Sequence, residues 1–459
     1  MNRVPSARAA LTLGMTLFLL AGCGGGGGAA AVPGTAQKYS ISGTLTGLPT
    51  GATLVLQDDG GDPLTLTADG SFTFSRTLAA GSTYRVTVPA NPAHEICSVA
   101  NGGGTASANV TAVAVACSAG PQFVYVANEA DDTVSAYAVD PTTGALTPVA
   151  GSPFATGAST GPNAIAINPA GTFAYVANLY GDSIAVYSID PATGALAPVA
   201  GSPFATGAST GPDSIAINAA DTFAYVTDNA NQTVSAYAID ATTGALTPVA
   251  GSPYSGGGLS FPDSVAVSAA GTFAYVSNFN GGITAYTIDA TTGALARMTG
   301  SPFATGANPQ AIAVDPAGTF AYLANLNGGV AAYAIDATTG ALTPVGSAVA
   351  TGTNPSAIAI NAAGTFAYVA GSGSSSVLAY AIDATTGALT SVAGSPFAAG
   401  NSPACVAVNP AGTFVYVVNN GANNVSAYTV DPTTGALTPI TGSPFAAGTS
   451  PQSVAVAQP

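Results

Sequence analysis

Short stretches in which apolar and polar residues alternate, separated by turns rich in Gly and Pro, fill the chain from residue 123 to its end. These stretches repeat as a unit of 46 to 50 residues that contains one F-[AV]-Y-[VL] core. The seven cores begin at Phe123, Phe173, Phe223, Phe273, Phe320, Phe366 and Phe414. Alternation with a period of two predicts β-strands, and a strand repeat of this length is typical of a blade-by-blade β array.

Each unit divides into four candidate strands. In the second unit they are Asn163–Asn168, Gly171–Asn178, Ser183–Asp190 and a looser stretch, Gly194–Phe204. Four strands make one blade of a β-propeller, so the seven units predict an all-β, seven-bladed propeller over residues 121–459.

The two ends of the repeat region complement each other. The first unit has no strand before Phe123, whereas the chain ends on a strand without a partner, Ser453–Ala457. A C-terminal strand that joins the N-terminal blade leaves no open sheet edge. We therefore expect a ring closed by the C-terminal strand, and not a solenoid, which would need capping repeats.

A turn of the form Asp-(Pro/Ala)-(Thr/Ala)-Thr-Gly follows the third strand of every unit. An Asp at the start of a turn accepts backbone N–H groups, and Gly supplies the left-handed conformation that closes a bulged hairpin. We interpret the seven aspartates as turn formers and not as a ring of ligands. They are Asp140, Asp190, Asp240, Asp289, Asp336, Asp383 and Asp431.

Residues 1–23 have the order of segments that is typical of a signal peptide, with two arginines before an apolar stretch too short to span a bilayer. The stretch ends in LAGC, which resembles the bacterial lipobox, whose cysteine, here Cys23, receives diacylglycerol. Residues 24–37 begin with five glycines and predict a flexible tether. The residue after Cys23 is Gly24, and by the same resemblance this favours the outer membrane. We expect an exported bacterial lipoprotein that contacts the membrane only through its anchor.

Between tether and propeller, residues 38–118 predict a small β-sandwich, and the module loosely resembles Ig-like or transthyretin-like domains of bacterial surface proteins. Six strands are expected, near residues 39–45, 53–57, 64–67, 71–74, 84–88 and 110–115. Cys97 and Cys117 lie in this exported module and predict a disulfide. Cys405 has no partner, and its position in the inner strand holds Ala or Ser in the other units, which indicates a buried small residue.

Two blade sequences, FVYVANEADDTVSAYAVDPTTGAL and FAYVANLYGDSIAVYSIDPATGAL, resemble blades of the seven-bladed lactonase-type propellers. That family includes 6-phosphogluconolactone hydrolases and the related YVTN-repeat surface proteins. The resemblance implies the propeller fold and, for an enzyme, catalytic His, Arg and Glu side chains around the central cleft. The propeller region has no His and no Lys, one Arg (Arg297, expected on an outer strand) and one Glu (Glu129). The single histidine, His94, is expected in a surface loop of the other domain. We assign no catalytic residue.

The remaining chemistry is sparse. The chain has no His/Cys metal cluster and no phosphate-binding loop, so we expect no metal site and no cofactor, with Ca²⁺ left open near Asp131 and Asp132. Six Lys and Arg stand against 21 Asp and Glu, a net charge of −15 that repels phosphate backbones and excludes nucleic acid as a partner.

One set of positions remains as a candidate binding site. The residue after the loop proline begins each inner strand at one rim of the channel, and five of these residues are strongly polar: Asn163, Asp213, Asp263, Gln310 and Gln452. We expect the turns that carry Asn128, Asn178, Asp228, Asn278, Asn325 and Asn419 to converge on the same rim. Polar groups above an Ala/Ile wall are typical of a ligand site, although the same residues would also serve to cap strands and hydrate the rim.

Three functions stay open at this point. The first is a lipid-anchored binding or structural module of the cell envelope, with an unknown protein, glycan or small molecule as its ligand. The second is a lactonase-like hydrolase, as the resemblance implies. The third is a glycan or cation binder at the channel mouth, because two neighbouring aspartates favour a cation or a hydroxyl-rich ligand over an anion.

Overall fold

The computed structural model describes residues 37–49, 51–92, 94–255, 258–306, 308–351 and 354–459. The predicted signal peptide, Cys23 and nearly all of the tether lie outside these ranges. Within them, no helix has both the length and the apolar character needed to cross a membrane. The described helical structure is one 3₁₀ turn, Asn420–Ala422.

Eight strands precede the repeats and form two four-stranded sheets. Alternate residues of both sheets, such as Ile41, Leu54, Phe72 and Val113, meet in one buried cluster, which is the core of a small sandwich. The bounds of the eight strands are Lys38–Thr46, Leu54–Asp58, Gly61–Leu66, Gly70–Ala79, Thr83–Thr87, Glu95–Ala100, Gly103–Thr105 and Val110–Ala119.

Two of these strands, Glu95–Ala100 and Gly103–Thr105, were absent from the sequence-based prediction. Neither shows the clear alternation on which that prediction depends: the first buries only Cys97 fully, and the second is Gly-Gly-Thr and exposed throughout. Cys97 lies directly opposite Cys117 in the sheet, and the two are joined by a disulfide.

The repeats fold into seven sheets, which we number as blades 1 to 7 in the order of their Phe cores. Each blade runs from an inner strand at the central channel to a short outer strand. The inner strands are Pro451–Ala457 in blade 1 and then Pro162–Ile167, Pro212–Ile217, Pro262–Val267, Pro309–Val314, Pro355–Ile360 and Pro403–Val408. The second strands are Gln122–Asn128, Phe173–Asn178, Phe223–Asp228, Phe273–Asn278, Phe320–Asn325, Phe366–Gly371 and Phe414–Asn419.

The third strands are Thr133–Val139, Ser183–Ile189, Thr233–Ile239, Gly282–Ile288, Gly329–Ile335, Ser376–Ile382 and Asn424–Val430. The outer strands are Leu146–Pro148, Leu196–Pro198, Leu246–Pro248, Leu295–Arg297, Leu342–Val349, Leu389–Ser391 and Leu437–Pro439. Five blades add a two-residue piece that also pairs with the third strand: Phe154–Ala155, Phe204–Ala205, Tyr254–Ser255, Phe397–Ala398 and Phe445–Ala446. The single fourth strand expected at Gly194–Phe204 is therefore split, since Pro203 before Phe204 has no N–H to donate to the ladder.

The predicted fold class is confirmed: the chain is all-β, and its C-terminal strand closes the ring. That strand pairs antiparallel with Gln122–Asn128 of blade 1, from Pro451 opposite Asn128 to Ala457 opposite Phe123. Blade 1 is thereby assembled from both ends of the propeller region.

Neighbouring blades pack through large buried side chains of the second strand. The turn glycine of each next blade lies against the Phe: a Cβ added to Gly194, whose φ is +71°, would come within 2.2 Å of the ring of Phe123. The turn therefore needs Gly for contact between blades as well as for its left-handed conformation. Asp190 accepts the backbone N–H groups of Ala192 and Thr193, as expected of a turn former.

The sandwich lies against the face of the disc where inner strands end and second strands begin. The side chain of Gln458, just past the last inner strand, donates to the carbonyl oxygen of His94, and Nδ1 of His94 lies 2.5 Å from the Gln458 carbonyl oxygen. A cavity of about 490 Å³ at this junction is lined from both sides, by Ile96 of the sandwich and Pro191 of blade 2 among others. His94 lies in a turn of the sandwich domain, as expected, and it is half-buried because its backbone and ring both contact the propeller.

Candidate functional site: the channel mouth

The opposite face of the disc, where the inner strands begin, surrounds a cavity of about 680 Å³, which we call the mouth. Each inner strand starts with a buried loop proline, and the residue after the proline faces the channel. The ring of these residues is Asn163, Asp213, Asp263, Gln310, Ser356, Ala404 and Gln452. All five residues predicted from the sequence thus lie around one cavity.

The floor of the mouth consists of the next residue of each inner strand. These residues are small, and small side chains allow seven sheets to approach the axis: Ala164, Ser214, Ser264, Ala311, Ala357, Cys405 and Ser453. Cys405 is one of these floor residues. Burial raises the pKa of its thiol, so the thiol is not an activated nucleophile.

Two carboxylates of neighbouring blades lie on one side of the mouth, and amide side chains hold both. The amide of Asn163 donates to Oδ1 of Asp213 at 2.5 Å and to its carbonyl oxygen at 2.9 Å. Asp263 accepts from Asn229 at Oδ1 and from Gln310 at Oδ2, both at 3.1 Å. The two carboxyl groups are therefore fixed in position by donors from three different blades, and neither is in an ion pair with a described residue.

Burial raises the pKa of Asp213 to about 7, an effect that the side-chain amide of Asn229 opposes and the negative charge of Glu129 increases. Burial also raises the pKa of Asp263 to about 8, and the charge of Asp213 adds to this rise. The two groups interact, so the pair titrates as a unit and changes its charge near neutral pH.

A third carboxylate reaches the rim from blade 1. Gln452 and Ser450 donate to Oε2 of Glu129, and the hydroxyl of Tyr180 in blade 2 donates to Oε1 at 2.6 Å. The hydrogen bond to this carboxylate raises the pKa of Tyr180. The single Glu of the propeller sequence thus lies beside the mouth, hydrogen-bonded to Gln452 of its ring, where the sequence had given no reason to place it.

The turns after the second strands lie at the rim, as expected, since Asn229, Phe279 and Asn420 line the cavity, but the side chains named from the sequence do not reach it. The side chains of Asn128, Asn178, Asp228, Asn278, Asn325 and Asn419 do not converge on the mouth, because all six are fully buried inside the blades. Asn128 donates to Ser135, for example, and Asp228 accepts from Thr233 and Ser235 of the third strand. These residues fix the second strand to the third.

Aromatic side chains also line the mouth, and both belong to blade 4. Phe261 precedes the loop proline and remains 44% exposed, while Phe279 follows the second strand. The N–H of Phe279 donates to the carbonyl oxygen of Phe261 at 3.0 Å, so the two residues are held side by side. Asp263 is in the same blade.

No basic side chain compensates these acids. The propeller region contains Arg297 as its single basic residue, and that residue is exposed on the outer strand of blade 4. Within the described ranges, no group of three or more His, Cys, Asp and Glu residues is arranged to hold a metal ion. At the acidic pair left open for Ca²⁺, Asp132 accepts the backbone N–H groups of residues 159–161 and Asp131 that of Thr449.

The family described as lactonase, 7-bladed beta-propeller, matches residues 114–262, 257–354 and 283–456. The chain belongs to this family. The matched ranges include all seven blades and end one residue short of the last residue of the closing strand. No curated protein sequence matches this lactonase-family chain.

Solved structures support the same fold. A Bacteroides uniformis protein provisionally named a 6-phosphogluconolactonase is similar over 73% of this chain and 99% of its own, with 18% identity and a TM-score of 0.64. The periplasmic gluconolactonase of Pseudomonas aeruginosa is similar over 73% and 99%, with 20% identity and a TM-score of 0.60. A Lactobacillus plantarum protein has 21% identity and the same TM-score. At such identities the similarity extends to the fold alone.

The sequence contained a signal for the mouth residues that were missed. When the seven repeats are aligned, the positions that form the strands and turns carry nearly the same residues throughout. The position directly after the second strand varies instead, and its residues are Glu129, Leu179, Asn229, Phe279, Leu326, Ser372 and Asn420. A position that varies between otherwise similar repeats is not needed to maintain their shared fold. Comparing repeats column by column would have located Glu129, Asn229 and Phe279.

Proposed function

We propose that this lactonase-family chain is an exported, lipid-anchored propeller that binds a small molecule at the mouth. The observation that supports this most is the composition of the cavity wall: Asp213, Asp263 and the amides of Asn163 and Gln310 stand around it without a basic side chain. A concave site with a few converging polar groups is the usual form of a small-molecule site.

The charge of the mouth limits the ligand class. A phosphate or carboxylate group is recognised by Arg or Lys, usually through paired hydrogen bonds, and the wall offers neither. Acidic and amide side chains instead accept hydrogen bonds from hydroxyl groups and attract cations. The ligand is therefore uncharged and hydroxyl-rich, or cationic.

Export and anchoring rest on the N-terminal sequence, with Cys23 as the lipidated residue and the outer membrane as the destination. The Cys97–Cys117 disulfide supports the exported location, because disulfides persist in oxidising compartments. The membrane is then a partner through the lipid alone.

The binding proposal is tested by thermal unfolding of the full chain against three groups of compounds: neutral sugars, organic amines and phosphorylated sugars. We expect a raised Tm with members of the first or second group and no change with the third. The rise should disappear in a variant that combines Asp213→Asn and Asp263→Asn. Asp240→Asn removes the same kind of charge from an outer turn and should keep the rise. Stabilisation by phosphorylated sugars alone would refute the assignment of the mouth.

A second candidate, hydrolysis of an uncharged lactone, is favoured by family membership together with the Asp213–Asp263 pair. A carboxyl group with a pKa of about 8 and a neighbour at about 7 can exchange a proton near neutral pH, as a general base requires. Asp263 would activate the attacking water, and the 6-phosphorylated lactone would be rejected for lack of a cationic partner.

This candidate is tested by following acid release from glucono-1,5-lactone and from its 6-phosphate at constant pH. An enzyme of this kind would accelerate opening of the uncharged ring, and Asp263→Asn would remove the acceleration while Asp240→Asn retained it. A rate equal to that of buffer with both lactones eliminates the hydrolase.

A further inference from the structure

Blade 4 departs from its neighbours at the rim. The residue directly before the loop proline differs between blades. From blade 2 to blade 7, and then in blade 1, it is Gly161, Gly211, Phe261, Asn308, Asn354, Ser402 and Ser450. All seven residues have a positive φ, and that of Phe261 is +52°. Gly, Asn and Ser enter this region at low or moderate cost, whereas a bulky side chain there is a genuine outlier. Blade 4 carries an aromatic ring at a position that disfavours it.

The column after the second strand shows the same departure. Phe279 is the one aromatic residue among the seven in that column, and it lies beside Phe261 through their backbone hydrogen bond. Both side chains line the mouth together with Asp263, which belongs to the same blade, and Asp213 of blade 3. We call these four residues the aromatic corner. No scaffold requirement explains two rings here, since the other six blades close the ring without them.

We propose that the aromatic corner binds an organic cation, an ammonium group that carries hydrocarbon substituents. This inference rests on the proposed binding function of the mouth and names the ligand class. Aromatic rings attract ammonium groups through their negative faces, and they are the usual walls of sites for quaternary ammonium ligands. The acidic pair loses its protons near neutral pH, a bound cation favours that ionised form, and no basic residue of the propeller competes with the ligand for it. A cavity of about 680 Å³ is large enough for such a ligand with further substituents.

Other ligand classes use this corner less well. A bare metal ion such as Ca²⁺ needs six to eight oxygen ligands, and among the described residues no group of three or more His, Cys, Asp and Glu is arranged to hold one. A neutral sugar can pair with the amides of Asn163 and Gln310, but it draws no benefit from the negative charge. The combination of ring and carboxylate is selective for a cation with an apolar surface.

The test is calorimetric titration of the full chain with choline and with 3,3-dimethylbutan-1-ol, its uncharged carbon isostere. The two compounds have nearly the same shape and differ by one positive charge. We expect choline to bind at least tenfold more tightly. Glucose and CaCl₂ are titrated in parallel as the neutral polyol and the inorganic cation.

The repeats themselves provide matched variants. Phe261→Gly installs the residue of blades 2 and 3, and it should weaken choline binding at least fivefold while Tm stays equal or rises, since Gly relieves the left-handed conformation. Phe279→Leu keeps an apolar side chain, as at Leu179 and Leu326, but removes the ring, and it should also weaken binding. Asp263→Gln copies Gln310 and should bring choline to the affinity of its isostere.

Four results would overturn the inference. Equal affinity for choline and its isostere would show that charge plays no part. Choline binding unchanged in Phe261→Gly and Asp263→Gln would place the site elsewhere. Stabilisation by glucose without any binding of choline would retain the mouth as a binding site and reject only the organic cation as its ligand. If the chain bound none of the compounds tested here or under the proposed function, both the binding function and the cation assignment would be rejected.

Discussion

The hydroxyl of Tyr125 in blade 1 donates a hydrogen bond of 2.8 Å to the carbonyl oxygen of Gly194 in the turn of blade 2. The same bond joins five further pairs of adjacent blades: Tyr225 to Gly293, Tyr275 to Gly340, Tyr322 to Gly387, Tyr368 to Gly435 and Tyr416 to Gly144. The last pair links blade 7 to blade 1 and so continues around the closure. The exception lies between blades 2 and 3, where the buried hydroxyl of Tyr175 has no partner among the described residues.

This exception predicts unequal costs for the same substitution. Tyr125→Phe removes a buried hydrogen bond and leaves the Gly194 carbonyl without its donor, so we expect a loss of about 1 kcal/mol in the free energy of unfolding. Tyr175→Phe removes a hydroxyl that is buried without a partner and should be neutral or slightly stabilising. Urea denaturation of both variants measures the difference. Equal losses would show that the hydroxyl of Tyr175 is also satisfied.

Closure of the ring predicts that one short strand supports the entire propeller. Deleting Ser453–Pro459 exposes the edge of Gln122–Asn128 and removes the buried side chain of Val454 from the contact between blades 1 and 7. We expect a drop in Tm of the whole propeller and self-association through the free edge. Deleting only the final Pro459 leaves the strand intact and serves as the control. A Tm equal to that of the full chain would contradict the role assigned to the closing strand.

The acidic pair predicts a stability profile that falls with pH. The folded pKa values of Asp213 and Asp263, about 7 and about 8, lie above the unfolded value of 3.8. Between about pH 4 and pH 8 the folded state therefore binds more protons than the unfolded state, and its stability decreases as pH rises. The variant Asp213→Asn/Asp263→Asn should lose this part of the slope and exceed the parent in stability at pH 8, by about 1 kcal/mol or more. Denaturant titrations at pH 5, 6.5 and 8 give the free energy of unfolding of both proteins. If it changed with pH in the same way in both, the pKa values of Asp213 and Asp263 would not be raised.

The disulfide predicts a local effect on the sandwich. It closes a loop with a sequence separation of 20, and replacing both Cys97 and Cys117 by Ala should cost about 3 kcal/mol through the freer unfolded chain. Cys405→Ser installs the residue found at Ser214, Ser264 and Ser453, and it should leave stability nearly unchanged. Calorimetry with and without reductant measures both. A parent protein whose unfolding is insensitive to reductant would contradict the prediction.

Anchoring predicts a membrane-bound protein that one substitution releases. Wild-type chain should fractionate with membranes, while Cys23→Ala should be found in the soluble exported fraction because it has no thiol to acylate. Mass spectrometry of the mature N-terminus should show a lipid-modified Cys23. A free, unmodified Cys23 at that terminus would reject the anchor.

The propeller was predictable because the residues of its strands and turns follow the burial of each position. The second strands are buried throughout, as in Phe173–Asn178, and the turns after the third strands carry the same Asp and Gly in every repeat. The outer strand was predicted less well. In six of the seven blades it pairs through only three residues before a loop with Ser and Pro, as at Leu196–Pro198, and so short a strand has no period to detect.

The five rim residues were predictable because a register rule places them: the residue after each loop proline starts a strand at the axis. Glu129 and the two phenylalanines were not, since their placement depends on loops whose course is set by contacts between blades. Glu129, for example, is held by Tyr180 of the next blade, 51 residues away in sequence. The buried Asn128 and its equivalents were misplaced because sequence position alone could not show which way a side chain at a strand end points.

The sandwich and the mouth lie on opposite faces of the disc, and this arrangement sets a direction. The first and last strands of the sandwich run parallel, with Thr46 opposite Ala116 beside the propeller and Lys38 at the far end, about 26 Å away at the usual rise per residue. The chain segment before Lys38, which includes Cys23, joins the sandwich at that far end. If Cys23 carries the proposed lipid, the membrane attachment reaches the sandwich at the end remote from the mouth. A ligand would then approach by diffusion from solution and would not need to leave the lipid phase.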